Sequence, residues 1–245
     1  MKGIILAGGK GTRLYPLTKI TNKHILPVGK EPMIFNPIKQ LISVGIKDIL
    51  IVTSREHMGA LVNLLGSGRE FGCSFTFKVQ DEPKGIADAL LLGENFAGGD
   101  SIVVILGDNI ASHSIKPYVE KFENQDIGAK VLLKEVNEPH LFGIAALDET
   151  KIVKIQEKPD KPESNYAVIG IYMYDNNVFD IIRKIDYSLR GELEITSVNN
   201  EYIKRNQLTY DILRGYWTDA GTFETYKLAN EILFNIDNKI ISGDE

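Results

Sequence analysis

Cysteine is almost missing: Cys73 is the one thiol in 245 residues. A single cysteine cannot close an internal disulfide, and a Cys-rich zinc site is excluded. Histidine is sparse too. His24, His57, His113 and His140 are scattered, with no spacing that suggests a metal triad and no serine–histidine pair. Long hydrophobic runs are lacking, since no apolar stretch approaches the ~18 residues that span a bilayer. The start, Met1-Lys2-Gly3, has one cation before a short apolar stretch and does not read as a signal peptide. Excess positive charge is absent as well. Lys and Arg number 28 against 33 Asp and Glu, a net −5 that argues against coating a nucleic acid. These absences predict a cytoplasmic protein with neither a nucleic-acid nor a membrane partner.

Linkers, low-complexity segments and internal repeats are also missing, so a single domain over 1–245 is expected. What is present is alternation. Gly3–Ala7, Ile49–Thr53 and Ile102–Leu106 are short Ile/Val-rich runs that read as buried parallel strands. Between the first two, Met33, Ile34, Ile38, Leu41 and Ile42 keep a helical spacing, with Gly45 as a stop. Met58–Leu65 and Ile86–Leu92 read as helices and Ser74–Val79 as a shorter strand. Strand and helix in repetition predict an α/β sheet with helices on both faces and ligands beyond the carboxyl ends of its strands. After about residue 128 the texture becomes β-rich. Ala129–Glu135, Ile144–Leu147, Lys151–Gln156 and Ala167–Tyr174 read as strands, followed by helices at about 176–185, 195–205 and 221–236.

Directly behind the first strand stands "LAGGKGTRLYPLT", residues 6–18. A Walker A loop needs Gly-x-x-x-x-Gly-Lys and then Ser or Thr, but here Lys10 precedes Gly11. A dinucleotide fingerprint needs a third glycine where Leu14 stands. A plain structural turn and a polyphosphate cradle remain. Thr12 and Arg13 add a hydroxyl and a guanidinium to backbone N–H groups freed by glycine, and those are the donors a polyphosphate takes. Lys23, in an ordered-looking loop before Pro27, is either a solvated cation or a point charge for a phosphate. Asp108 ends the run 101–107 in "VVILGDN", and Asp219 stands in "YWTDAGT" before Gly221. Each is either a turn or cap aspartate or one of two magnesium ligands, since Mg²⁺ takes carboxylate oxygen beside substrate phosphates. Glu157 and Lys158, in "QEKP", are either solvated surface or a pair that holds a sugar hydroxyl and a phosphate.

Taken together, several stretches resemble one family. "LAGGKGTRLYPLT", "NKHILPVGKEPMI", "VQDEPKGIADAL", "LGDNI", "FGIAALD", "EKPDKPESNYAVIGIYMYD", "RGELEITSVNNEY" and "WTDAGT" are similar, in order and spacing, to the sugar-1-phosphate nucleotidylyltransferases and within them to the glucose-1-phosphate thymidylyltransferases. The resemblance runs from Met1 to about residue 230. It implies a Rossmann-like nucleotidyltransferase fold, a mixed central sheet flanked by helices with a β-rich sugar-binding part. About 1–127 would hold the nucleotide and about 128–245 the sugar. It implies that Gly8, Gly9, Gly11 and Thr12 wrap the nucleotide, Arg13 clamps the β and γ phosphates, and Lys23 the α phosphate. Gln80, Pro83 and Gly85 would meet the base. Asp108 and Asp219 would hold Mg²⁺. Asn109, Gly143, Glu157 and Val168 would line the glucose, and Lys158 would meet its phosphate. The catalytic set would be Arg13, Lys23, Asp108 and Lys158.

The implied reaction joins dTTP and α-D-glucose 1-phosphate into dTDP-glucose and pyrophosphate, in a homo-oligomer (dimer or tetramer) of a kind that usually feeds deoxysugars such as rhamnose into polysaccharide. Uridylyl or cytidylyl transfer and a non-catalytic nucleotide-sugar sensor are the alternatives. Four positions depart from the family pattern. Phe142 stands where tyrosine is common, His24 where glutamine follows the lysine, and Thr218 and Ala220 flank Asp219 where leucine and threonine are usual. Longer relatives carry a further helical segment that helps build a regulatory nucleotide site, so weak or absent feedback inhibition is expected.

Overall fold

A computed structural model describes residues 1–125 and 127–242. In chain order the elements are β1 (Lys2–Ala7), β2 (Pro27–Val28), β3 (Glu31–Pro32), α1 (Phe35–Ser43), β4 (Asp48–Ser54), α2 (Met58–Leu65) and β5 (Ser74–Gln80). Then come α3 (Ile86–Leu91), α4 (Glu94–Ala97), β6 (Ile102–Leu106), β7 (Asn109–Ala111), α5 (Lys116–Glu123) and β8 (Ala129–Glu135). The remainder holds β9 (Gly143–Asp148), β10 (Lys151–Glu157), β11 (Tyr166–Tyr174), α6 (Val178–Ile182), α7 (Ile195–Lys204), β12 (Leu208–Ile212), β13 (Trp217–Asp219) and α8 (Phe223–Ser242).

One mixed sheet organises the molecule, in the order β10-β9-β11-β6-β1-β4-β5, with β8 pairing β11 and β12. Strands β6, β1, β4 and β5 are parallel, whereas β11 runs antiparallel to β6. The apolar runs explain the parallel centre. In β1 the alternate residues Ile4 and Leu6 enter one core while Ile5 and Ala7 enter the other. Ile49 and Ile51 part from Leu50 and Val52 in the same way. A strand covered on both faces must be apolar throughout, which is why these segments show no alternation. Residues of α3, α6 and α7 cover one face, and those of α1, α2 and α5 the other. In α1 the predicted periodicity is met, with Ile38 and Leu41 fully buried. The helix ends at Ser43, and Gly45 turns the chain with φ +84°, a conformation that favours glycine.

The sheet crosses the expected midpoint of the chain without a break, because β11 lies directly against β6. Several elements went unforeseen: the short strands β2, β3 and β7, the edge strand β12, and the helices α4 and α5. Strands β7 and β13 form a separate two-stranded ribbon in which Asp219 faces Asn109. Among the described residues no helix is long and apolar enough to cross a membrane.

Candidate active site

The carboxyl ends of the central strands open on a cleft of about 780 Å³. The parallel strands bring Gly8, Asp108 and Gln80 to its rim, because β1 ends at Ala7, β6 at Leu106 and β5 at Gln80. Glycine matters here for room. A Cβ on Gly9 would lie 3.4 Å from Lys23 Cε, and one on Gly107 would lie 2.7 Å from His24 Cδ2. The two glycines let the "NKH" segment pack across the ends of β1 and β6. Of the sixteen expected site residues, Gly11 and Thr12 do not line the cleft. Gly11 has φ +65° and presses on the stem of Lys23, where a Cβ would meet Lys23 Cβ at 3.1 Å. Thr12 opens an exposed 3₁₀ turn.

At the centre, Lys23 Nζ donates to Asp108 Oδ2, and Asn109 Nδ2 donates to Asp108 Oδ1 at 3.1 Å. Burial by itself pushes the Asp108 carboxyl up, but the Lys23 ammonium against it holds it well below the usual carboxylate range. Asp219 comes alongside through the β7–β13 ribbon, which Ala220 N closes by donating to Asp108 O at 2.8 Å. Burial first, and then the Asp108 charge, pushes Asp219 up to about 6 against the pull of Arg13 and Lys23. Arg13 reaches the same spot. A Cβ built on Gly221 would lie 3.1 Å from Asp219 Oδ2 and 3.2 Å from Arg13 Nη2. Two acids and two cations from three separate stretches of the chain, the β1–β2 connection, the end of β6 and the end of β13, thus share one corner. Among the described residues no group of three or more His, Cys, Asp or Glu side chains could cage an ion, so a cation here would rest on this pair plus ligand oxygen and water.

His24 lies beneath the pair, 1% exposed. Asn22 Oδ1 accepts from His24 N at 2.7 Å and faces His24 Nδ1 at 2.6 Å, which places the ring proton on Nδ1. Burial, and then the Lys23 charge, lowers the imidazole to about 3, so the ring is neutral.

At the end of the cleft beside β5, Gln80 Nε2 donates to Asp88 Oδ2 at 2.7 Å and to Gly85 O at 3.3 Å. That fixes the amide with Oε1 toward Gly8, where a Cβ would stand 3.1 Å away. Pro83 and Gly85 line the cleft beside it. Gly85 has φ +106° and lies so close to the 188–196 segment that a Cβ would meet Leu193 O at 2.4 Å. Leu193 N donates to Lys84 O at 2.7 Å and Ala87 N to Leu193 O at 3.1 Å, a backbone clasp.

At the opposite end, Thr196 Oγ1 donates to Glu157 Oε2 at 2.6 Å, and Arg190 Nη2 to Glu157 Oε1 at 3.2 Å. Gly143 has no side chain, and a Cβ there would stand 3.2 Å from Thr196 Oγ1. Lys158 is held at φ +42°, a strained angle for a side-chain-bearing residue, with its N–H on Phe142 O at 3.0 Å. Val168 lines the same end from β11. Asn109 Oδ1 accepts from Gly170 N at 3.0 Å and from Trp217 Nε1 at 2.8 Å. Phe142 packs edge-on against Trp217, with ring centroids 5.8 Å apart.

Fourteen of the sixteen expected residues therefore line one cleft. Sequence reasoning passed over Thr196, Asn199, Tyr172 and Trp217, which line it too. It also passed over Arg190, which grips Glu157. For Arg190 and Thr196 the signal was there, in the "RGELEIT" stretch. For Tyr172 and Asn199 nothing in the pattern separates them from core residues.

A sequence profile described as nucleotidyl transferase matches residues 2–235. The glucose-1-phosphate thymidylyltransferase of Neisseria meningitidis serogroup A is 41% identical over 242 residues, which cover 97% of this chain and 84% of that protein. That of Mycolicibacterium smegmatis is 42% identical over 241 residues, covering 97% and 83%. A Bacillus anthracis crystal structure, assigned as a glucose-1-phosphate thymidylyltransferase and solved with sucrose, superposes with a TM-score of 0.91 at 57% identity, covering 94% of each chain. A UDP-glucose pyrophosphorylase solved with UDP-glucose follows the same fold at 27% identity with a TM-score of 0.84, covering 96% of this chain and 98% of that one.

Proposed function

We propose that this chain, which belongs to the nucleotidyl transferase family and within it to the glucose-1-phosphate thymidylyltransferases, transfers a thymidylyl group from dTTP to α-D-glucose 1-phosphate. The products are dTDP-glucose and pyrophosphate. The observation that carries the reading is the order of groups along the sheet. Glu157 ends β10 at one side and Gln80 ends β5 at the other, with the Lys23–Asp108 pair between them. A base at Gln80 and a sugar at Glu157 put the reacting phosphates over that central pair.

The sugar-phosphate oxygen attacks the α phosphorus in line, the P–O bond to pyrophosphate breaks, and the leaving group carries away its electron pair. No general base is assigned, because a phosphate monoester with a second pKa of about 6 is already ionised near neutral pH. The obstacle is the approach of two polyanions. Lys23 neutralises the α phosphate, Arg13 the β and γ phosphates, and Lys158 the attacking monoester. Fixed cations of this kind are worth about 3 kcal/mol each where charge develops. Alignment across the rigid sheet supplies the remainder.

Asp108 and Asp219 are assigned to Mg²⁺. The fit rests on chemistry, since two adjacent carboxylates with Asp219 pushed up to about 6 are relieved by a divalent ion. When bound, magnesium supplies further neutralisation of the phosphates. Residues 1–127 are assigned to the nucleotide and 128–245 to the sugar, with Asn109 and Asp219 crossing over. The proposal includes a cytoplasmic homo-oligomer, after the family's habit.

The test is a panel of dTTP, UTP, CTP and ATP against glucose 1-phosphate and other sugar 1-phosphates, with pyrophosphate release as the readout. The expected result is fastest release with dTTP and glucose 1-phosphate. Preference for UTP would favour the chemistry named for the pyrophosphorylase relative, and no release with any pair would reject enzymatic transfer.

A further inference from the structure

Among the described residues, three buried side-chain atoms have no hydrogen-bond partner: Ser54 Oγ, Gln156 Oε1 and Asn199 Nδ2. Of these residues, only Asn199 lines the cleft. It lies on α7 three residues beyond Thr196, hence on the same face of the helix. Its carbonyl oxygen is already committed, since Tyr174 Oη donates to Asn199 Oδ1 at 2.6 Å. Tyr174 is itself stacked between Tyr172 and Tyr202, with ring centroids 6.0 and 5.8 Å away. The amide cannot turn without breaking that bond. Its N–H donors are left buried and unsatisfied beside the cleft, where such groups are costly unless a ligand or water completes them.

We infer that Asn199 is a specificity-determining residue whose Nδ2 donates to a hydroxyl oxygen of the sugar substrate. Thr196 spends its hydroxyl on Glu157, so the next turn of α7 supplies the donor and Glu157 the acceptor on the same wall. A hydroxyl can satisfy either. A site built around a fixed donor discriminates against an analogue that lacks the oxygen, because the donor is then left unpaired. The inference rests on the assignment of a sugar 1-phosphate as substrate.

The experiment compares glucose 1-phosphate with its 2-, 3-, 4- and 6-deoxy analogues in the wild type, Asn199→Leu and Asn199→Asp. At pH 8 the aspartate keeps the shape and the acceptor for Tyr174 but carries no N–H. Wild type is expected to lose about tenfold or more in kcat/KM for one analogue. Both variants should shrink that ratio below about threefold while leaving KM for dTTP unchanged. If Asn199→Leu does not fold, Asn199→Asp, which alters no packing volume, decides alone. Unchanged discrimination at all four positions in a folded variant overturns the inference. A wild type that makes no pyrophosphate from dTTP and glucose 1-phosphate overturns the activity reading instead.

Discussion

Lys23 has two jobs in this structure: its stem packs under Gly9 and Gly11, and its ammonium neutralises Asp108. Lys23→Ala should therefore lower turnover by about two to three orders of magnitude. It should also lower stability by about 2 kcal/mol, because Asp108 is left charged and nearly buried. Steady-state rates and urea unfolding measure the two effects, and a folded variant with near-normal turnover would sink the assignment. The neighbouring His24 sets a pH limit. Its folded value of about 3 lies below the ordinary 6.5, so between those values the unfolded chain binds the extra proton. Stability is then complete above pH 6.5 and lost as pH falls toward 3, by at most about 5 kcal/mol. Asp219 works against this, since its raised value makes the folded state gain stability as pH falls through 6. The difference between wild type and His24→Gln isolates the histidine. Urea midpoints from pH 4.5 to 7 should fall more steeply for wild type, and parallel slopes would refute the buried neutral ring.

Among the elements, the clasp between the 80–87 segment and the 188–196 segment decides how the two ends of the cleft are held together. Gly85→Ala drives a Cβ to 2.4 Å from Leu193 O at φ +106°. It should cost about 3 kcal/mol and raise KM for both substrates. Gly45→Ala is the control. It has a similar φ of +84° with no neighbouring atom within 4 Å, so only backbone strain of about 1 kcal/mol applies. Thermal melts should rank the two, and equal shifts would show that the Leu193 contact carries no weight. The same scale explains what the sequence reveals. Strands β1, β4 and β6 are legible because burial on both faces demands an unbroken apolar run. Strand β12 is not, because "LTYDI" lies at a half-exposed edge and spends Asp211 on Lys130, 3.0 Å away. Strand β7 has three residues, too few to leave a period.

For the molecule as a whole, the cleft is a convergence of segments that only the fold brings together. Residue by residue, Asp108 and Asp219 each read either as a turn aspartate or as a magnesium ligand; the family resemblance implied their pairing, and the β7–β13 register is what creates it. The same holds for Asn199, whose unpaired amide exists only because Tyr174 stands opposite. The adjacency of the acids has a measurable cost. At pH 8 Asp219 is ionised beside Asp108 although burial and that charge push it up to about 6 from an ordinary 3.8, a penalty of up to about 3 kcal/mol in the metal-free protein. Asp219→Asn removes the repulsion, so the apoprotein should be more stable than wild type at pH 8 and should lose the stabilisation that added Mg²⁺ gives. Turnover should fall by about two orders of magnitude or more in both Asp219→Asn and Asp108→Asn. Nucleotide affinity should change little, because Gln80 and Gly85 stand at the β5 edge, away from the central pair of acids. Trp217, the single tryptophan, donates to Asn109 inside the cleft, so its fluorescence can follow nucleotide binding in each variant. Chelation should abolish wild-type activity and Mg²⁺ restore it. Wild-type rates in both variants at low Mg²⁺, or a Mg²⁺-dependent rise in melting temperature that survives in Asp219→Asn, would remove the carboxylate pair from the metal site.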